Sequence, residues 1–370
     1  MTDLSDAELL ALLRLQKVPQ IGAINAKKLI SKCGSAFQIF KERKTVLQKI
    51  DGIGDVAIKG LFGSEHHALA AKELVYIKKH HISCCSYEDN HYPDRLKHCI
   101  DAPILLFYRG NINLQNQKII SIVGTRNITT YGKSFIEEFV SQIAPLNPVI
   151  VSGFAYGVDI FAQQAAITHN LQTIGCLAHG LNQIYPKPHA KYTAAVEENG
   201  GFFTEFWSSS NPERENFLRR NRIIAGMSEA TIVVESAERG GSLVTADLAH
   251  GYHREVFVVP GRYGDKYSTG CNNLIKQQKA HILTSAADVL YVLGWDVESE
   301  KSKTVQKQLF VELNETEKTI YHYLHSNGKQ LLDTVALACE IPIFTLASTL
   351  LTMEMKGVVR PLPGKVFEAI

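Results

Sequence analysis

Residues 122–134 read IVGTRNITTYGKS, a glycine turn between an apolar run and an amphipathic one. A turn of this kind presents backbone N–H groups at a helix start, where the helix dipole favours an anion. The closing Gly132-Lys133-Ser134 matches the end of an ATP-binding loop. That loop needs a glycine five residues before Gly132, and Asn127 stands there. A dinucleotide loop needs glycines at 126 and 129, where the chain has Arg126 and Thr129. The second of those glycines exists to let backbone approach a pyrophosphate. Arg126 blocks that approach and offers a fork of donors to an external phosphate instead.

Other turns repeat this chemistry. Ser152-Gly153 follows an apolar run, with Gly157 and Asp159 opening the next amphipathic stretch. Residues 181–192, LNQIYPKPHAKY, set Tyr185 beside Lys187 and Lys191. Residues 217–226, FLRRNRIIAG, pack Arg219, Arg220 and Arg222 around Asn221. Gly240-Gly241-Ser242 opens a helix after the run ATIVVE. Backbone N–H groups, hydroxyls and guanidinium groups all donate to phosphate. Bases, glycines and a few aromatics on one sheet edge suit single-stranded nucleic acid, whose backbone follows a basic groove while its bases stack. A bland reading of the arginine trio is a salt-bridge network with Glu213 and Glu215.

The same residues admit an enzyme. A Gly-Gly-Ser turn and an arginine can hold a nucleoside monophosphate, with Asp159, Glu205 or Glu235 as acid or base. A phosphoribohydrolase-like nucleotide-processing enzyme is therefore the alternative. No nucleophile, histidine and acid share a coherent spacing, and His179, His189, His250 and His253 are scattered.

The elements that must position these residues are short Val/Ile-rich runs alternating with amphipathic stretches. The runs fall at 118–124, 148–153, 172–178, 230–236 and 255–261. Near-continuous apolar strands separated by helices predict an α/β fold whose mostly parallel sheet is covered on both faces. Ligands of such sheets sit at the carboxyl ends of the strands.

At 370 residues the chain has room for two or three domains of about 100–200 residues. Residues 1–78 read as helical. Segments 18–30 and 50–61 each place a Gly-containing turn before an apolar-basic helix start, as in helix-hairpin-helix elements that hold DNA backbones; close helix packing is the other reading of those glycines. Residues 79–295 form the α/β core, 296–309 a charged linker, and 310–370 three helices and a hairpin of winged-helix type. Over 301–370 eight Lys/Arg face seven Asp/Glu, and the expected recognition helix, 342–356, has only Lys356 as a base. A winged helix that grips DNA needs a basic face, so a protein contact is expected of it. A transcriptional regulator reading DNA through this domain is a third reading.

The net charge of +2 leaves any nucleic-acid site to a local patch. The acidic start MTDLSDAELL, the absence of a ~20-residue apolar run and seven cysteines without a C-x-x-C pair predict a cytoplasmic protein with reduced thiols, no zinc ribbon and no metal site.

Taken in order, IVGTR (122–126), SGFAYGVD (152–159), YP (185–186), RNRIIAG (220–226), GSLVTA (241–246), VPG (259–261) and GCNNLI (270–275) resemble the DNA-processing protein A (DprA, Smf) family over nearly the whole chain. The resemblance implies an extended Rossmann-like core that binds single-stranded DNA, with no nucleotide cofactor and no catalysis. It implies a homodimer that loads RecA onto incoming DNA in natural transformation, with single-stranded DNA-binding protein as a further partner. Carried over by position, Arg126, Ser152, Gly153, Lys187, Arg220, Asn221, Arg222, Gly241 and Ser242 line the DNA site. Residues 270–282 lie near the dimer and RecA surface. The chain departs from the family pattern at Gln163, at Ala178-His179-Gly180 and at Lys279-Ala280.

Overall fold

A computed structural model of the chain describes residues 4–115, 117–295, 313–362 and 364–369. The linker expected at 296–309 lies outside these. The chain divides into two compact units, 1–297 and 298–370.

The first unit is built on a nine-stranded sheet. In chain order its strands are β1 (Ser83–Ser86), β2 (Leu105–Gly110), β3 (Ile119–Val123), β4 (Val149–Ser152), β5 (Thr173–Cys176), β6 (Gly200–Thr204), β7 (Ala230–Val233), β8 (Glu255–Val258) and β9 (His281–Ile282). Their spatial order is β1-β2-β6-β5-β4-β3-β7-β8-β9. The strands from β6 to β9 are parallel, and β1 and β2 add antiparallel at one edge. All five expected strand runs are strands. β3 and β4 are buried along their whole length, which is why they read as unbroken Val/Ile runs. The polar side chains inside the sheet are paired: Ser121 and Thr231, opposite each other on β3 and β7, share a 2.8 Å hydroxyl contact.

The sequence did not show β6. It begins Gly200-Gly201, which reads as a turn, yet both glycines lie inside the sheet. A Cβ on Gly200 would stand 2.1 Å from the Thr173 carbonyl oxygen, and one on Gly201 2.2 Å from that of Arg109. Close approach of the flanking strands, not a turn, requires glycine there.

Helices cover both faces. Thr130–Ile143 and Val158–Thr168 pack Ile136, Phe139, Val158 and Ala162 into one apolar cluster. Arg214–Met227 and Gly241–Gly251 pack Ile223, Ile224, Ala246 and Ala249 into a second. From β3 the chain runs outward through β4, β5 and β6, then returns to the opposite side of β3 as β7. The strand order therefore reverses between β3 and β7, and the crevice at their carboxyl ends is where sheets of this type take ligands.

Residues 4–79 form helices Asp6–Lys17, Ala23–Cys33, Ala36–Ile39, Lys44–Leu47, Asp55–Leu61 and Ser64–Lys79. They belong to the same compact unit as the sheet. Leu12, Leu29 and Leu61 share an apolar cluster with Phe154, Phe202 and Trp207 of the core. Trp207 Nε1 donates to Gln16 Oε1 at 2.7 Å, and the Ser208 N–H to Glu73 Oε1 at 2.7 Å. Gly22 and Gly54 stand at the N-caps of Ala23–Cys33 and Asp55–Leu61, neither with a side-chain cap.

The second unit holds helices Glu315–Asn327, Leu332–Ala338 and Ile343–Met355 and strands β10 (Gln330–Leu331), β11 (Val359–Leu362) and β12 (Val366–Ala369). The strands form an antiparallel sheet in the order β10-β12-β11. This is a winged-helix arrangement. The wing is the expected hairpin; Pro363 of its turn lies outside the described residues. Lys356 reaches Glu317 at 2.7 Å. Among the described residues no single helix is long and apolar enough to cross a membrane.

Candidate nucleic-acid interface

The loops that leave β3, β4 and β7 meet at the reversal point of the sheet. Gly157 has φ +75°, and a Cβ there would lie 2.2 Å from the Thr125 carbonyl oxygen. Only glycine lets the loop after β4 lie against the loop after β3. The Val158 N–H then donates to Thr125 O at 3.1 Å, and the Thr125 N–H to Glu235 O at 2.7 Å, which fixes the third loop. The three loops enclose a cavity of about 260 Å³ lined by Thr125, Arg126, Phe217, Arg220, Asn221, Gly241 and Ser242, among others.

Two features of this cavity favour an anion. Arg126 is exposed and has no ion pair among the described residues; its guanidinium lies 5.5 Å from the centre of the Phe217 ring. Gly241 and Ser242 form the first turn of an eleven-residue helix whose N-cap, Gly240, gives no side-chain cap. Among the described residues the Gly241 and Ser242 N–H groups have no backbone partner, which suits an anion, while the Leu243 N–H donates to Gly240 O at 3.1 Å. Ser242 Oγ donates to Ser236 Oγ at 2.9 Å, which orients that turn.

Aromatic rings flank this cavity. Phe217 is half-buried, and the Tyr185 ring, 40% exposed, lies 5.7 Å from it. Lys187, two residues on, is exposed at the head of the short helix Lys187–Tyr192. Sequence reasoning missed Phe217. Its signal was present: Phe217 and Asn221 are four apart on Arg214–Met227, hence on one helix face.

The other expected residues face inward. Ser152 is fully buried and donates to the Ile122 carbonyl at 2.6 Å. Gly153 is buried against Arg220 and Asp159; a Cβ would meet Arg220 Nη2 and Asp159 Oδ2, each at 2.6 Å. Arg220, 4% exposed, donates from Nη1 to Gly153 O at 2.7 Å and to Cys176 O. Asp159 Oδ2 accepts from the Gly153 N–H at 3.1 Å. Burial pushes the Asp159 carboxyl above the ordinary carboxylate range, and the Arg220 charge opposes it. Burial likewise pulls the Arg220 guanidinium down. The pair clamps the ends of β4 and β5 beneath the cavity. Arg222 turns to the opposite side of its helix. It pairs there with buried Glu205, joined by Arg219 at 3.3 Å. Two of the trio, Arg219 and Arg222, thus form a salt-bridge network, with Glu205 of the β6 end rather than Glu213 and Glu215, and Arg220 stays outside it.

The acids named for the enzyme alternative are all engaged. Glu235, 5% exposed, accepts from the Thr129 N–H at 2.9 Å through one oxygen and from the Thr129 hydroxyl through the other. It holds the N-cap residue of Thr130–Ile143. Burial pushes His179 and His189 below the ordinary imidazole value, and each ring is tied to a carbonyl, that of Gly180 and that of Phe154, at 2.9 Å. Among the described residues no group of three or more His, Cys, Asp or Glu is placed to hold a metal ion.

The family model described as DNA recombination-mediator protein A matches residues 83–294, spanning the sheet and every loop of this cavity. The chain belongs to that family. It is 37% identical over 217 residues to the DNA processing protein DprA of Bacillus subtilis, covering 58% of this chain and 73% of the relative. It is 35% identical over 281 residues to the protein Smf of Escherichia coli, covering 74% of each. The X-ray structure of DprA from Streptococcus pneumoniae superposes with a TM-score of 0.67 at 30% identity, covering 78% of this chain and 98% of that one. The Helicobacter pylori DNA processing protein A, solved for its single-stranded DNA binding mode, superposes at 0.52 and 30% identity, covering 57% and 95%.

The departures of this DNA-processing recombination mediator from its family pattern have local consequences. Gln163 is fully buried, and among the described residues neither polar atom of its amide has a hydrogen-bond partner. Gly180 is required where it stands, since a Cβ would lie 2.3 Å from the Trp207 carbonyl oxygen. Lys279 pairs with Asp247 at 2.9 Å, so its charge is matched within the chain.

Proposed function

We propose that this chain is a non-enzymatic mediator that binds single-stranded DNA across the β3–β7 crevice and loads RecA onto it during uptake of DNA. The observation that carries the strand site is the unpaired Arg126 beside the uncapped Gly241–Ser242 turn, with Phe217 and Tyr185 alongside. Phosphates sit on the guanidinium and the helix N-terminus, and bases stack on the rings. Arg126, Lys187, Asn221, Gly241 and Ser242 contact the strand. Ser152, Gly153, Arg220 and Arg222 are positioning residues that hold the loops from below. The single-stranded DNA binding described for the Helicobacter pylori relative supports this reading.

A non-enzymatic role agrees with Asp159, Glu205 and Glu235 each being committed to a structural partner. A homodimer, RecA and single-stranded DNA-binding protein are the proposed partners, with residues 270–282 near the dimer and RecA surface. Residues 1–78, 79–295 and 310–370 act as separate functional parts. The near-neutral winged helix contacts protein, because its one recognition-helix base, Lys356, is engaged by Glu317.

The test has two arms. Labelled oligonucleotide binding is titrated against salt for wild type and for Arg126→Ala with Lys187→Ala. Each lost phosphate contact should flatten the log–log slope by about 0.7; unchanged binding at every salt sinks the site. RecA filament growth on strands coated with single-stranded DNA-binding protein should then accelerate when the chain is added, and no acceleration removes the mediator claim.

A further inference from the structure

Helix Arg214–Met227 has a second functional face. Phe217, Arg220 and Asn221 turn to the strand site, whereas Arg219 and Arg222 turn to a cavity of about 350 Å³ between the N-terminal helices and the core. That volume lies in the roughly 300–1,000 Å³ range of small-ligand sites. Gly22, Lys17, Glu205 and Trp207 also line it.

Its lining carries both signs of charge. Lys17 is half-buried, lies 4.3 Å from the centre of the Trp207 ring and has no ion pair among the described residues. Gly22 is the N-cap of the eleven-residue helix Ala23–Cys33 and supplies no side-chain cap, so the first N–H groups of that helix are open to an anion. The acid is Glu205, whose side chain is 6% exposed. Its Oε2 takes both Arg222 and Arg219, and its Oε1, buried away from the cavity, has no hydrogen-bond donor among the described residues. A buried carboxylate oxygen without a donor is costly. The Arg222 side chain is 12% exposed, whereas that of Arg219 is 59% exposed, lies 3.3 Å from the carboxylate and stands 5.2 Å from the centre of the Phe206 ring.

We infer that this cavity binds a nucleotide whose base carries an exocyclic amine. The phosphate draws Arg219 off Glu205 and sits on it, on Lys17 and on the start of Ala23–Cys33, and the amine takes the place of Arg219 on Glu205 Oε2. Adenine, cytosine and guanine each present such an amine. Thymine presents one ring N–H between two carbonyl oxygens, which a carboxylate repels. The ligand is either a free nucleotide or one residue of a bound strand; the second source rests on the strand site proposed above.

Calorimetry with dCMP and dTMP tests the inference on the full chain, with Trp207 fluorescence as a second readout. We expect saturable dCMP binding, about tenfold or more tighter than dTMP, as one hydrogen bond to a charged group allows. Lys17→Ala should weaken dCMP by about tenfold without altering the thermal transition; Glu205→Gln should erase the preference over dTMP. Arg126→Ala, which weakens strand binding, should leave dCMP binding intact, so failure of the strand site is told apart from failure of this one. If the occupant is a residue of the strand, oligo(dC) binds more tightly than oligo(dT) of equal length, and Lys17→Ala abolishes the difference. If it is a free nucleotide, the two oligonucleotides bind alike and dCMP alone is discriminated. No saturable binding of dCMP, or dCMP binding indifferent to Lys17→Ala, overturns the inference.

Discussion

Arg220 donates from Nη1 to the Gly153 carbonyl at 2.7 Å, across a sequence separation of 67 residues. This bond joins the helix that carries Phe217 and Asn221 to the loop that Gly157 presses against Arg126. Arg220 therefore sets the geometry of the proposed strand site from beneath it.

Replacing Arg220 by methionine leaves Asp159 buried without its counter-charge, a loss of about 3–5 kcal/mol at neutral pH. Burial already raises the Asp159 pKa, and Arg220 opposes that rise. An acid whose folded pKa is raised holds its proton more tightly when native, so stability is lost as pH climbs from the unfolded value through the folded one. Removing the Arg220 charge lifts the folded pKa further and widens that window. Urea titrations should show the gap between variant and wild type narrowing from about pH 7 toward about pH 5. A gap constant with pH would show that Asp159 is not the group Arg220 serves.

Arg126→Ala and Phe217→Ala should weaken strand binding in different ways. The arginine acts by charge, so its loss lowers the salt slope by about 0.7 and is small at high salt. The ring acts by stacking, so its loss costs about 1–3 kcal/mol at all salts and leaves the slope alone. Because Arg126 is exposed, its removal should shift stability by no more than about 0.5 kcal/mol. Parallel binding curves for the two variants would refute this division.

Glu235→Gln separates the structural reading from the enzymatic one. Glu235 accepts from both the N–H and the hydroxyl of Thr129. The amide can accept through one atom only, and a loss of about 1–2 kcal/mol in chemical unfolding is expected. Wild type incubated with nucleoside monophosphates should release no free base. Turnover that disappears in the variant would restore the phosphoribohydrolase reading.

A chain ending at residue 297 keeps the whole first compact unit. It should fold cooperatively and keep strand affinity and salt slope, whereas a regulator acting through its winged helix would lose DNA binding. Fluorescence anisotropy with a single-stranded oligonucleotide decides between them.

Much of this was legible in the sequence, for a physical reason. Strands buried on both faces must be apolar throughout, so β3, β4, β5, β7 and β8 stood out as Val/Ile runs. Turns that bring backbone close to backbone need glycine, so the loops at 124, 157 and 240 could be placed at strand ends. Arg126 drew notice because it replaced a glycine in such a turn. β6 stayed hidden because its glycines serve close strand packing inside a sheet, which looks like a turn when the neighbours are unknown. The arginine trio shows the other limit. One helix turn rotates successive residues by about 100°, so adjacent arginines face different surroundings. The sequence determined that Arg219, Arg220 and Arg222 would lie on one helix near the site. Only the packing of that helix decided that Arg220 is buried on Gly153 and Cys176, that Arg222 answers Glu205, and that Phe217 shares the cavity with Arg126. Those partners lie tens of residues away, and no local spacing encodes them.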